Sequence, residues 1–325
     1  MLFRPNVDII LDEVPKRKRH KVVDPEGNQV RLPTLYDMET VSGKVVINLG
    51  NKKKFEHKGI KLELFGTIQS NKDSKDCLRF ISLSQELESI GILYQEVTTY
   101  PFKFQNVQKQ YESYKGTLKT IKYFLKLTID TSLRTHTYEQ EFAVINPEKP
   151  DCLTKENIPI RLEVGIEDWL HIVFDFDHRH FGLKETATGK VTFKKVGIRL
   201  QTMEIQLIKK ETVTIPGVQP VSTVMAKFEI MDGGPIKNET VPIRFSFKPY
   251  DLTPTMDNIN NKLSVNYFMN LVLNDIEDRK YFKQHEIFFH RIEKIKKAKE
   301  NNEYPDAPEN VEPKETPNED VLDQA

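Results

Sequence analysis

Long hydrophobic runs are missing from this chain of 325 residues. No stretch approaches the roughly 20 apolar residues that a bilayer span needs. The start, Met1-Leu2-Phe3-Arg4-Pro5-Asn6, lacks the apolar core of a signal peptide. Cysteine is scarce: the chain has Cys77 and Cys152 alone, where a small secreted scaffold would carry several in pairs. Both read as free thiols in a reducing, cytosolic compartment. Net charge is zero, with Lys+Arg 48 against Asp+Glu 48. The field of the whole molecule therefore gives no case for nucleic acid or an anionic membrane as the main ligand. Hydrophobic residues are 38% of the chain, enough for packed cores but predicting thin domains with much polar surface.

Catalytic constellations are lacking as well. There is no Gly-x-Ser-x-Gly elbow for a nucleophilic serine. Gly43-Lys44 and Gly189-Lys190 lack the upstream glycine and the following Ser/Thr of a phosphate-binding loop. Asp130 and Asp275 follow equivalent strands, which duplication explains better than paired acid–base roles. Asp175, Asp177, His178 and His180 have the side chains of a metal site. They sit in one stretch, however, and read as a polar hairpin turn rather than as ligands from separated elements. No catalytic residue, metal or cofactor is assigned, and the chain is read as non-enzymatic; a metal-dependent enzyme built on those four residues is the competing reading.

What the chain does contain is one pattern written twice. Ser-Gly-Lys-Val at residues 42–45 returns as Thr-Gly-Lys-Val at 188–191. Pro101-Phe102-Lys103-Phe104 returns as Pro242-Ile243-Arg244-Phe245, and Tyr123-Phe124-Leu125-Lys126-Leu127 as Tyr267-Phe268-Met269-Asn270-Leu271. The three blocks keep their order and recur about 145 residues apart, the size of one ordinary domain. Period-2 alternation runs through both copies. It predicts strands over residues 7–11, 44–49, 60–68, 94–104, 121–129, 191–195, 197–208 and 224–230. One long strand is predicted over 162–176, with Leu162, Val164, Ile166, Asp168, Leu170, Ile172, Phe174 and Phe176 in the series on its buried face. Residues 82–90 give the one helix signal, with Ser82 or Ser84 as cap and Leu83, Leu87 and Ile90 on one side. Many short strands bounded by turn residues predict an all-β chain of two tandem sandwiches.

The proline-rich stretch 147–159 marks the expected boundary, giving domains 1–150 and 151–298. Residues 301–325 hold four prolines, many acids and one lysine. A segment with so little apolar surface cannot offset chain entropy, so a disordered acidic tail is expected over 299–325. The basic run Lys16-Arg17-Lys18-Arg19-His20-Lys21 reads as an exposed charged edge or loop, as does 294–299. Ile230 and Met231 run into Asp232-Gly233-Gly234-Pro235. Continued alternation would turn one of them outward as a partner contact; the other reading makes both strand-end core residues.

Several of these segments resemble one family. Val164-Gly165-Ile166-Glu167-Asp168-Trp169-Leu170-His171-Ile172, Phe228-Glu229-Ile230-Met231-Asp232-Gly233, Thr253-Pro254-Thr255-Met256 and Arg279-Lys280-Tyr281-Phe282-Lys283-Gln284 are similar to the vacuolar protein sorting 26 family, the arrestin-like subunit of retromer. Tyr36-Asp37, Val41–Val45, Tyr111-Glu112-Ser113-Tyr114 and Lys122–Lys126 extend the resemblance into the first half. It implies an arrestin-like pair of β-sandwiches and a non-enzymatic scaffold and cargo adaptor. The implied partners are the α-solenoid retromer subunit, sorting nexins and the cytosolic tails of transmembrane cargo. The implied location is peripheral, on the cytosolic face of endosomes, with membrane association through partners. The resemblance assigns Ile230 and Met231 to solenoid binding. It assigns Val164 and Phe282 to a pocket for the aliphatic anchor of a cargo signal added as a strand. An arrestin-type adaptor for receptors, or a related endosomal sorting complex, is the alternative.

Overall fold

Alternating side chains set the architecture. The strand Lys119–Asp130 buries Ile121, Tyr123, Leu125, Leu127 and Ile129 and turns Lys122, Lys126 and Thr128 to the wetter face, as a period of two requires. Leu263–Asp275 does the same with Val265, Tyr267, Met269, Leu271 and Leu273. The computed structural model describes residues 3–13, 17, 19–23, 28–73, 75–148, 158–166, 169–215 and 217–292. Every regular element among them is a strand.

Each of the two long strands lies inside a larger sheet. In the first half the order is Thr34–Leu35, Thr135–Val144, Lys119–Asp130, Gly59–Ser70, Cys77–Glu88. In the second it is His180–Gly182, Lys280–His290, Leu263–Asp275, Leu200–Thr212, Val221–Asp232. Both sheets open with a two- or three-residue strand added in parallel, and the rest is antiparallel. A smaller sheet completes each sandwich: Asn6–Leu11, Val41–Asn48 and Val97–Phe104 in one, and Ile160–Ile166, Leu170–Phe176, Thr186–Val196 and Thr240–Ser246 in the other. Among the described residues no strand is shared between halves. Buried aliphatic and aromatic side chains of both sheets form the core, the arrangement of an arrestin-like β-sandwich.

The repeat extends down to register. Lys44 stands opposite Ile10 on one side and Pro101 on the other, and Lys190 stands opposite Asp175 and Pro242. The glycine before each lysine has a packing reason. A Cβ on Gly43 would lie 2.1 Å from the carbonyl oxygen of Ile10, and one on Gly189 would lie 2.4 Å from that of Asp175. Close approach of a neighbouring backbone, not a phosphate, accounts for Gly-Lys in both halves.

Three local expectations are corrected. Residues 82–90 are not helical: they belong largely to the outer strand Cys77–Glu88. Its register against Gly59–Ser70 slips twice, so the apolar positions fall at irregular intervals that mimic a helical face. Leu83 and Ile90 are exposed, while Leu78, Phe80 and Leu87 pack on the core. The single long strand over 162–176 is an antiparallel hairpin, Ile160–Ile166 against Leu170–Phe176. Even-numbered residues pair with even-numbered ones there, for example Val164 with Ile172. The alternation therefore stays in phase across the reversal, and period alone cannot reveal it. The stretch 175–180 is not a hairpin turn either. Phe176 ends a strand of the smaller sheet and His180 begins one of the larger, so the segment crosses between sheets. The expected tail, the run 294–299, Cys152 and most of the stretch 147–159 lie outside the described residues.

Candidate functional site

Two strand edges of the second half carry the residues singled out from the sequence. Val221–Asp232 is the outermost strand of its sheet. Met231 faces Met203 and Glu229 faces Glu204. Ile230 therefore has no counterpart and forms a β-bulge, which breaks the alternation. Neither Ile230 nor Met231 is turned fully outward: both are half-buried against the core. Gly233, at φ +105°, ends the strand and donates its N–H to Gln201 O at 2.7 Å. The loop that follows is tied to the other sheet, since Asn238 N–H donates to Phe193 O at 2.6 Å and Phe193 N–H to Glu239 O at 2.9 Å. At its tip Ile236 is 71% exposed. This large apolar side chain was missed in the sequence because it follows Pro235 and belongs to no periodic run.

The other edge is Ile160–Ile166. Leu170–Phe176 pairs one side of it, no described residue pairs the other, and the strand lies against Lys280–His290. The latter is itself an open edge over most of its length, because His180–Gly182 covers only Phe288, Phe289 and His290. Val164 is half-buried and packs on the core, whereas Phe282, opposite Val272, is 73% exposed. Val164 and Phe282 thus lie on neighbouring strands of different sheets. Trp169, at the hairpin reversal, is also exposed.

A buried carboxylate organises the turn that leads to Phe282. Asp275 accepts the N–H groups of Glu277 and Arg279, each at 2.9 Å, the Arg279 Nε–H at 2.7 Å and the Tyr281 hydroxyl at 3.0 Å. Burial pushes its pKa up, but the bonds from Arg279 and Tyr281 outweigh it and hold the value at about 2. Its stabilising effect is complete above the ordinary pKa of 3.8 and lost as the pH falls through about 2. Asp275→Ala is expected to loosen this turn: hydrogen exchange at Glu277 and Arg279 should rise by about tenfold or more, with the sheet interior unchanged.

A polar joint ties the halves together. Glu112 accepts the Arg291 Nε–H and Nη2–H at 2.7 and 2.9 Å and the Asn146 N–H at 2.8 Å. Glu211 accepts the N–H groups of Thr117 and Leu118 at 2.9 Å, with the Lys209 ammonium 3.3 Å away. Desolvation raises the Glu211 pKa, and the two backbone donors overcome it, leaving the value below the usual 4.5. Sequence periodicity gave no sign of this joint.

The candidate metal ligands are dispersed. Asp175 lies 3.5 Å from Arg161, Thr188 donates to Asp177, His178 lies 3.1 Å from Glu185, and His180 meets His290 at 3.0 Å. No group of three or more metal-ligating side chains converges among the described residues. Of the basic run, Arg17 stacks on Tyr36 and forks onto both oxygens of Glu39 at 2.6 Å.

The family model for Vacuolar protein sorting-associated protein 26 matches residues 3–278. This chain belongs to that family. A Dictyostelium discoideum protein named Vacuolar protein sorting-associated protein 26 is 44% identical over 285 residues, covering 87% of this chain and 80% of that one. Vacuolar protein sorting-associated protein 26B from Arabidopsis thaliana is 39% identical over 293 residues, 89% of this chain and 96% of that one. The protein of the same name from Homo sapiens is 41% identical over 287 residues, 88% and 84% of the two chains. The Vps26 family is a protein-sorting family, and its arrestin-like fold is the one described above. No helix among the described residues is long and apolar enough to cross a membrane.

Proposed function

We propose that this protein is a non-enzymatic scaffold and cargo adaptor of the retromer coat. It binds the α-solenoid subunit and, with sorting nexins, selects the cytosolic tails of transmembrane cargo for retrieval from endosomes. It acts on the cytosolic face, reaching the membrane through its partners. The two halves, 1–150 and 151–298, serve as its two domains. The observation that carries the reading is the open edge Ile160–Ile166 with the exposed Phe282 on the strand beside it. An extended peptide added there would gain ladder hydrogen bonds, while an apolar anchor between Val164 and Phe282 would select its sequence.

Solenoid binding is proposed for the bulged end of Val221–Asp232, through Ile230 and Met231. A few apolar anchors dominate interfaces of this kind. The test is capture of the solenoid subunit by the wild type beside the double variant Ile230→Asp/Met231→Asp. A loss of about 100-fold or more in affinity is expected, since a carboxylate would be desolvated in the contact. Full capture by a folded double variant overturns the docking assignment, and no capture by the wild type overturns the retromer reading itself.

A further inference from the structure

The same end of the two sandwiches is closed by different chemistry. His136 stands opposite Ile129 and Tyr281 opposite Leu273, equivalent places beside the two repeated tyrosine strands. In the second half Tyr281 donates its hydroxyl to Asp275, which stays ionised down to about pH 2. In the first half the place belongs to a histidine. A second histidine, His57, ends the short strand Phe55–His57, which pairs with Gly91–Leu93. The Phe55 ring of that strand lies 6.0 Å from the His136 ring and 5.9 Å from that of Phe3.

Both imidazoles are buried, His57 at 3% exposure and His136 at 5%. Neither ring nitrogen of His57 has a hydrogen-bond partner among the described residues. The charge that acts on it is Glu88, 3.7 Å from Nε2, and the other oxygen of that carboxylate already accepts the Tyr100 hydroxyl. Gly91 fits closely against both side chains: a Cβ there would lie 2.8 Å from Glu88 Oε1 and 3.4 Å from His57 Nε2. His136 Nε2 accepts the Arg134 Nε–H at 3.2 Å, and Arg134 donates from Nη2 to Phe3 O at 2.7 Å. Arg134 and Arg4 are the charges that act on His136. Burial holds both histidines below the ordinary 6.5, against the pull of Glu88 at His57 and helped by the two arginines at His136.

We propose that this end of the first half is an acid-operated latch: neutral His57 and His136 close it, and their protonation opens it and releases Phe3. A charged His57 sits out of water beside a carboxylate that it must share with Tyr100. A charged His136 loses the lone pair that Arg134 bonds and faces that guanidinium as a like charge. Arg134 then moves and takes its bond to Phe3 with it. Above 6.5 both histidines are neutral whether the end is open or closed. As the pH falls through 6.5 the open state takes up protons first, and the closed state is progressively disfavoured. The second half, held by Asp275 and Tyr281, stays closed through the same range.

The test is hydrogen exchange of the full chain at about pH 8 and about pH 5, either side of the histidine range, corrected for intrinsic rates. Protection at residues 55–57 and 91–93 is expected to fall by about tenfold or more at the lower pH, since each unit by which burial lowers a pKa is tenfold in the equilibrium. Residues 275–281 should keep theirs. His57→Leu/His136→Phe should abolish the fall, and His57→Leu alone, the milder change, should reduce it. A ring-proton NMR titration of the wild type needs no variant: both histidines should titrate below 6.5. Values at or above 6.5 overturn the proposal, as does equal protection at the two pH values. A fall undiminished in a folded His57→Leu variant, or one matched at residues 275–281, overturns it too, because acid would then be acting through other groups.

Discussion

Gly43→Ala and Gly189→Ala are each expected to destabilise the protein by about 3 kcal/mol, the upper end of what overpacking costs. The atoms that a new Cβ would strike are backbone carbonyl oxygens, Ile10 O at 2.1 Å and Asp175 O at 2.4 Å. A side-chain neighbour could rotate away, whereas a carbonyl can move only with its strand. Relief at Gly43 means parting Val41–Asn48 from Asn6–Leu11; relief at Gly189 means parting Thr186–Val196 from Leu170–Phe176. Gly217 is a contrasting position: a Cβ there would meet nothing within 4 Å, yet its φ of +82° still favours glycine. Gly59 is the better control: its Cβ would meet only Glu88 O at 4.0 Å, so Gly59→Ala should change stability by well under about 1 kcal/mol. Urea titrations of the three variants check the ranking. Equal stability of Gly43→Ala and Gly59→Ala would remove the close-approach explanation for the repeated motif.

Glu211→Ala should cost a similar amount, about 3 kcal/mol, through stranded donors rather than a clash. The carboxylate is buried, and it accepts the N–H groups of Thr117 and Leu118 from the other half. Each buried donor left without an acceptor costs about 1–3 kcal/mol. Glu211→Gln keeps one acceptor oxygen and should recover part of the loss. The pH dependence follows from the depressed pKa: the stabilisation is complete above 4.5 and is lost as the pH falls through the lower folded-state value. Thermal melts of wild type and Glu211→Gln between neutral and acidic pH should therefore converge on acidification. Parallel melting curves at every pH would mean that the ionised carboxylate is not what holds the loop.

Much of the fold was legible because a sheet with one buried face writes its period into the chain. Lys119–Asp130 alternates over most of its length and was readable as 121–129, whereas Leu263–Asp275 showed in the sequence only through its repeated Tyr267-Phe268-Met269-Asn270-Leu271 block. Errors came where the period was reset or preserved for a reason outside the local segment. The double register slip against Gly59–Ser70 scrambled Cys77–Glu88 into a false helix. The in-phase reversal before Leu170 hid a hairpin inside what read as one strand. At the candidate sites the sequence supplied residues but not their exposure. The bulge at Ile230 half-buried both members of a pair for which alternation allowed one outward side chain, and the loop that follows exposed Ile236 unannounced.

The amino-acid sequence by itself determined the all-β class, the duplication and the family, because periodicity, repeated blocks and ordered motifs are properties of the chain read along its length. Only the tertiary structure decided which edges stay open, which glycines meet a neighbouring carbonyl, and that Glu211 of one half would hold the 116–118 loop of the other. The glycine approaches join residues of neighbouring strands, and the Glu211 bonds join residues 94 and 93 positions apart; pairwise geometry of this kind leaves no periodic trace in sequence.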